Sequence, residues 1–279
     1  MTGKKMKKIV LTGAAGRLGG YLRGPLSKLA DTLVCTDIAD AINDLGANET
    51  YVQADLADKA AMHAIIEGAD MVVHFGALVD EASFETILGP NIIGAYNVWE
   101  AASIHGVRRV IYASSIHAVG MYPKTEHIGV DVPHRPDGFY GLAKCFSEDL
   151  ARMYWEKRGV EAVCLRILSC ATVTNPRALG SWLSERDLVR LVERSIDTPV
   201  TGFAIAYGVS ANDRSPVDNA AASFLGYRPQ DNAEQFAGKI LANSEPLDPQ
   251  DGAHMCHGGP FATTKLGVSA IAALNLVDD

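Results

Sequence analysis

Tyr140 and Lys144 stand four residues apart in Tyr140-Gly141-Leu142-Ala143-Lys144. On a helix that spacing puts both side chains on one face. A free phenol titrates near 10, out of reach for a base at neutral pH, as the ordinary tyrosine value of about 10 shows. A neighbouring ammonium favours the phenolate, so Lys144 would bring the Tyr140 oxygen toward the range where it takes a proton from an alcohol. General-base help of this kind is worth about 100- to 10,000-fold. Alone, the pair marks no more than a helix face. Ser114-Ser115 upstream changes its meaning, because it closes a β-branched run. Strand ends of an open α/β sheet line the ligand crevice, and Ser115 there would hold the reacting oxygen near Tyr140.

A second cluster binds rather than reacts. Thr12-Gly13-Ala14-Ala15-Gly16-Arg17-Leu18-Gly19 follows the first apolar run and opens a helical pattern. Gly13 allows a tight turn, Gly16 a close approach of pyrophosphate to backbone, and Gly19 close helix–strand packing. The helix start adds free N–H groups and a positive dipole end. Asp37 ends the second run, where a carboxylate accepts hydrogen bonds from ribose hydroxyls and repels the extra phosphate of NADP. Arg17 would attract that phosphate, but Asp37 outweighs it and NAD is the expected cofactor. Asp55-Leu56 follows the third run, beside the adenine position. A helix cap ahead of Lys59 is the other reading of Asp55.

These residues need a sheet to position them. Ile9–Thr12, Thr32–Thr36, Tyr51–Ala54, Met71–Phe75, Arg109–Ala113 and Ala162–Ile167 read as strands. Segments at helical spacing lie between them, such as Ile92, Tyr96, Val98, Trp99 and Ala102. This alternation predicts an α/β fold: a doubly wound parallel Rossmann sheet, covered on both faces, with right-handed crossovers. Trp99 and Met153 read as core residues. After Leu168 the pattern becomes irregular, with a helix over Ser184–Ile196 capped by Ser184, a strand over Phe203–Val209 and a helix over Ala233–Leu241. Turn-rich stretches follow, as in Gly226-Tyr227-Arg228-Pro229 and Leu247-Asp248-Pro249. The expected division is a dinucleotide-binding domain over 1–168, carrying the catalytic residues, and a small C-terminal substrate lobe over 169–279. The two are expected to pack intimately, with a single domain as the alternative reading.

Composition narrows the classes of function. The 279 residues are 48% hydrophobic and 21% charged, with a net charge of −8. Such an acidic balance argues against nucleic acid and acidic membrane surfaces as partners. No apolar stretch is long enough for a membrane span. The basic lead-in Lys4, Lys5, Lys7 and Lys8 lacks the apolar core of a secretory leader and reads as solvated. Five cysteines, an odd number without a CxxC motif, fit free thiols in a reducing cytoplasm. His254-Met255-Cys256-His257 falls short of a metal ligand set, so no metal is expected.

The glycine loop, Asp37, Asp55-Leu56, Asn91-Ile92-Ile93-Gly94, Ser114-Ser115 and Tyr140 to Lys144 together resemble the extended short-chain dehydrogenase/epimerase family from about Lys8 to Leu168. A narrower resemblance, to the uronate dehydrogenases, extends further. It rests on Arg135-Pro136-Asp137-Gly138-Phe139-Tyr140-Gly141, Lys144-Cys145-Phe146, Leu150-Ala151-Arg152-Met153-Tyr154, Arg166-Ile167, Ser169-Cys170, Arg177 and Ser210-Ala211-Asn212-Asp213. This resemblance implies NAD-dependent oxidation of C1 of cyclic glucuronate or galacturonate to an aldaric acid lactone. It implies Tyr140 as base, Lys144 on the nicotinamide ribose and Ser115 on the C1 hydroxyl. It places the loop Phe75-Gly76-Ala77 and Asn91 along the cofactor. Ile116, His117, Ser169 and Arg177 would line the sugar pocket, Arg177 taking the carboxylate. It also implies a homo-oligomer built on two long helices.

Two positions depart from the family. Val79 stands where it has serine and Ile116 where it has asparagine, which opens the pocket to a less hydroxylated or differently configured sugar acid. Two other activities fit the scaffold. A nucleotide-sugar epimerase would need a larger C-terminal lobe. A non-catalytic dinucleotide sensor would commonly lack the Tyr–Lys pair that this chain keeps.

Overall fold

The computed structural model describes residues 5–245 and 248–273. Lys4 of the basic lead-in, Leu247, and the outermost residues of the two expected units lie outside the described residues. The six anticipated strands form as β1 (Met6–Thr12), β2 (Ala30–Asp37), β3 (Glu49–Gln53), β4 (Met71–His74), β5 (Arg109–Ser115) and β6 (Glu161–Ile167). A seventh, β7 (Phe203–Gly208), completes one sheet in the order β3-β2-β1-β4-β5-β6-β7. Every neighbouring pair is parallel.

The strands show why the sheet is buried on both faces. Successive side chains point to opposite sides. Ile9, Leu11, Leu33, Cys35, Val73, Ile111, Val163 and Leu165 join one core. Their chain neighbours Val10, Val34, Val72, Val110, Tyr112, Ala162 and Cys164 join another. The first core is closed by α1 (Arg17–Leu29) and by apolar residues of the later segment Leu183 to Tyr227. The second is closed by α2 (Lys59–Ile66), α4 (Gly94–Ile104) and α5 (Phe139–Arg158). A short helix, α3 (Phe84–Ile87), and a π-turn over Leu88–Ile93 lead directly into α4.

The described residues after 168 therefore do not stand apart from the sheet. They supply β7, which pairs with β6, and α7 (Glu185–Asp197), whose Leu188, Leu191 and Val192 join the first core after the short α6 (Ala178–Ser181). Ser184 caps α7 as expected, its hydroxyl accepting from the N–H of Asp187. The anticipated helix over Ala233–Leu241 forms as a 3-10 turn, Ala233–Phe236, followed by α8 (Ala237–Ala242).

Strand order reverses between β1 and β4, so a crevice opens where their C-terminal ends diverge. Thr12 and His74 face each other in register at that point. Trp99 is buried as expected, stacked on Tyr154. Met153 is not: it is 48% exposed on the outer face of α5, with Leu142 and Phe146. Helical periodicity marks an apolar face without saying what covers it, and α5 has two apolar faces.

Candidate active site

The glycine loop begins where β1 ends. Gly13 has φ +71, and a Cβ there would come within 2.6 Å of the Gly76 nitrogen. Gly19 would likewise collide with the Gly13 carbonyl. Any side chain at either position would fill the cradle, so the loop lies tight on Phe75-Gly76-Ala77 with the start of α1 open to solvent. Arg17 and Leu18 form the first turn of α1. Arg17 lines a cleft of ≈ 710 Å³ with Tyr21, Cys170 and Trp182.

Thr12 ties the two loops together. Its hydroxyl oxygen accepts from the N–H of Gly76 at 3.0 Å and lies 2.7 Å from His74 Nδ1. Burial and the nearby Lys144 charge hold His74 down at about 3. The ring is therefore neutral and shares a hydrogen bond with the Thr12 hydroxyl. Asn91, in the π-turn, spends both ends of its amide on Leu78, accepting from its N–H and donating to its carbonyl. It positions the 75–78 loop. Asp37 reaches back over the glycine loop, and its carboxylate accepts from Ala15 N–H at 3.0 Å and Ile38 N–H at 2.8 Å. Asp55 accepts from Ala57 N–H, while the cap of α2 is Asp58, accepting from Ala61 N–H. The cap reading of Asp55 is thus corrected in favour of Asp58. Leu56 is buried beneath. This cradle, with its backbone donors and acidic clamp, fits a dinucleotide.

The second half of the site is carried by α5 and β5. Tyr140 lies in the first turn of α5, Lys144 one turn on, and Ser115 is the last residue of β5. Lys144 donates to the Ala113 carbonyl at 2.7 Å, and its nitrogen lies 5.3 Å from the Tyr140 ring centre. Burial pulls Lys144 down to about 7. Burial also pushes the Tyr140 phenol well above its ordinary value, with the Ser115 hydroxyl beside it pulling the other way and Asp137 adding to the rise. The expected lowering by Lys144 is therefore corrected for the free protein. Desolvation acts on both groups, favouring the neutral phenol and weakening the ammonium.

Four further residues pack around these candidate site residues, and none carries such a role in the sequence reading. Glu81, in the loop after β4, accepts from the N–H groups of Phe139 and Tyr140 and so caps α5. Asp137 accepts from His117 Nδ1 at 2.7 Å. A Cβ at Gly120 or Gly258 would overlap Asp137, so the two glycines make its space. Phe261 lies 4.0 Å from the His117 ring and 6.2 Å from that of Tyr140, ring centre to ring centre. Glu148, one turn beyond Lys144, accepts from Ser114 Oγ at 2.5 Å, from His134 Nε2 at 2.8 Å and from two nitrogens of Arg166 at 3.0 and 2.8 Å. Asp137 lies within the segment Arg135–Gly141, three residues before Tyr140. Glu81 and Phe261 carried no local signal.

A cavity of ≈ 520 Å³ opens beside Ile116, lined by Leu168, Arg177, Ser181, Lys124 and His257 among others. Arg177 is half-buried and donates to the His257 carbonyl at 2.8 Å. Ser169 is locked by its backbone to Ser181 and Leu183. Ile116 is 1% exposed within an apolar cluster including Val119, Tyr122 and Tyr207, whereas Val79 is 59% exposed. Of the two departures, Ile116 bears on the cavity. His254 accepts from Asp248 N–H and His257 is buried away from it, and no metal-type cluster occurs among the described residues.

A Rossmann cradle joined to a Ser–Tyr–Lys constellation defines a dinucleotide-dependent enzyme scaffold. The chain belongs to the NAD-dependent epimerase/dehydratase family, matching it over residues 9–178. It is 44% identical to the uronate dehydrogenase of Pseudomonas putida, over 94% of this chain and 98% of that protein. It is 46% identical to the uronate dehydrogenase of Agrobacterium fabrum, over 92% and 97% of the two chains. A crystal structure of a variant uronate dehydrogenase from Agrobacterium tumefaciens, complexed with NAD, is similar with a TM-score of 0.89 and 45% identity, covering 93% of this chain and 98% of that one.

Proposed function

We propose that this chain oxidises C1 of cyclic hexuronates with NAD, giving the aldaric acid lactone. The observation that carries the reading is Arg177. Its half-buried guanidinium makes no ion pair with a carboxylate among the described residues, Asp137 acting on it only from further off, and it lines a cavity whose wall includes Ile116, the residue after Ser115. A planar guanidinium orients a carboxylate through paired hydrogen bonds. A uronate anchored there by C6 presents C1 toward Ser115 and Tyr140. The similarity to uronate dehydrogenases over nearly the whole chain supports this assignment.

In this mechanism Gly13, Gly16, Arg17, Leu18 and Gly19 cradle the pyrophosphate, Asp37 holds the adenosine ribose, and Asp55 and Leu56 flank the adenine. Phe75, Gly76 and Ala77 lie along the cofactor, held by Asn91, and Lys144 takes the nicotinamide ribose. NAD, when bound, supplies the hydride acceptor. Ser115 orients the C1 hydroxyl and Tyr140 Oη receives its proton, while His117, fixed by Asp137, and Ser169 hold the sugar. Burial keeps the phenol protonated in the free protein, so the base is generated only when cationic groups surround it.

The division at residue 168 is then functional: the dinucleotide is bound before it, and the sugar is held between Ser115, His117 and Tyr140 before it and Ser169 and Arg177 after it. The exposed apolar residues Tyr96 and Ile104 of α4, and Leu142, Phe146 and Met153 of α5, support a homo-oligomer through these two helices. No helix among the described residues is long and apolar enough to cross a membrane. The unpaired cysteines fit a cytoplasmic setting.

The test is to follow NADH formation from glucuronate, galacturonate and the matching neutral hexoses. The acids are expected to react far better, and Arg177→Ala to lower kcat/KM for them by at least about 30-fold, since a desolvated charge left unpaired costs about 2–5 kcal/mol. Equal turnover of glucose and glucuronate overturns the assignment.

A further inference from the structure

Two segments distant in sequence meet at the wall of the sugar cavity. Pro123 and Cys256 form an antiparallel bridge, Lys124 N–H donates to the Met255 carbonyl at 2.7 Å, and His257 N–H donates to the Tyr122 carbonyl at 2.9 Å. The Arg177 guanidinium donates to the next carbonyl but one, that of His257. The Lys124 backbone and the Arg177 guanidinium are thus both bonded to the stretch Met255–His257, and the Arg177 charge acts on Lys124. Both line the same cavity.

Neither cation makes an ion pair with a carboxylate among the described residues, Asp137 favouring the Arg177 charge only from further off, while Arg214, which lines the same cavity, is paired with Glu234. His257 supplies an independent sign of a ligand. Its Nε2 donates to the Glu126 carbonyl at 3.0 Å, so Nδ1 carries the lone pair, yet Nδ1 is buried without a partner. The ring is 2% exposed and lines the cavity. A wall with two unpaired cations and one unmatched acceptor suits an anion that carries a hydroxyl beside it.

We infer that Lys124 is a second cation of the carboxylate subsite, sharing the substrate's acid group with Arg177 and so determining specificity for sugar acids. The inference rests on the hexuronate reading above. Burial and repulsion by Arg177 lower Lys124 to about 8, Cys256 opposing the shift. The groups facing it are Arg177, Cys256 and His257, with Arg214 and Glu245 further round the cavity. Of these, Arg177 is charged at every relevant pH. A bound carboxylate would favour protonated Lys124, so affinity is greatest below pH 8 and declines as pH rises through it.

The experiment compares parent, Lys124→Gln and Lys124→Arg, each with NAD present. Steady-state kinetics use glucuronate, and calorimetry uses methyl glucuronide, whose blocked C1 permits binding without reaction. Loss of one charge-assisted contact is expected to raise KM and Kd about ten-fold in Lys124→Gln, with kcat little changed. Lys124→Arg is expected to restore both constants and to abolish the weakening above pH 8. If Lys124→Gln, folded as judged by an unchanged Tm, binds methyl glucuronide like the parent, the inference is overturned while the hexuronate reading stands. If the parent itself neither binds methyl glucuronide nor oxidises glucuronate, the hexuronate reading has failed. A Lys124→Gln variant that does not fold leaves the test to Lys124→Arg: a pH-independent Kd supports the inference and an unaltered decline above pH 8 overturns it.

Discussion

Glu81 accepts a hydrogen bond from the backbone N–H of Tyr140 at 2.9 Å. A carboxylate from the loop after β4 therefore sets where the helix bearing the phenol begins. The same side chain accepts from Phe139 N–H at 3.0 Å and from Gly267 N–H at 2.9 Å, joining α5 to the C-terminal segment. Helix starts leave N–H groups unmatched, and a cap is worth about 1–2 kcal/mol. Glu81→Ala is expected to lower Tm by about 2–6 °C and to reduce kcat, because the Tyr140 oxygen loses its fixed position. Scanning calorimetry and steady-state kinetics read the two effects. An unchanged kcat would show that α5 is held without this cap.

Tyr140→Phe keeps the buried ring and removes the proton acceptor. NAD binding should persist, measured by calorimetry, while oxidation falls about 100-fold or more. Retention of a tenth of the parent kcat would mean that another group takes the proton.

Asp37 stands over the glycine loop, held by Ala15 N–H. A second negative charge about 4 Å away costs about 1–4 kcal/mol between bulk water and a protein surface, so NADP should be a poor cofactor. Asp37→Ser is expected to narrow the NAD-to-NADP ratio of kcat/KM about ten-fold or more. Equal use of both cofactors by the parent would remove the proposed role of Asp37.

Lys144 gives a pH-dependent stability term. Unfolded, it keeps its proton up to about pH 10.4, whereas in the folded chain burial releases it at about 7. Between these values the unfolded state holds more protons, so this residue's contribution to stability is least favourable below pH 7 and improves as pH rises toward 10.4. The difference in Tm between Lys144→Met and the parent should be most favourable to the variant at pH 6 and shrink by pH 9. A difference independent of pH would show that Lys144 is not desolvated in the folded state.

The elements and half of the candidate site were legible because their signals are local. Alternating apolar runs, the glycine triplet, and Tyr140 four residues before Lys144 each depend on the geometry of one strand, turn or helix. Ser115 was readable too, as the end of a strand. The remaining partners come from far along the chain: Glu81 under Tyr140, Asp137 in the space left by Gly258, Phe261 against His117, and Lys124 on the same wall as Arg177. No spacing rule links residues so far apart, because only the folded backbone makes them neighbours. The same limit governs charge. The sequence alone set Lys144 beside Tyr140, but burial decided that the phenol rises and the ammonium falls, since desolvation depends on everything packed around a group and not on its neighbours along the chain.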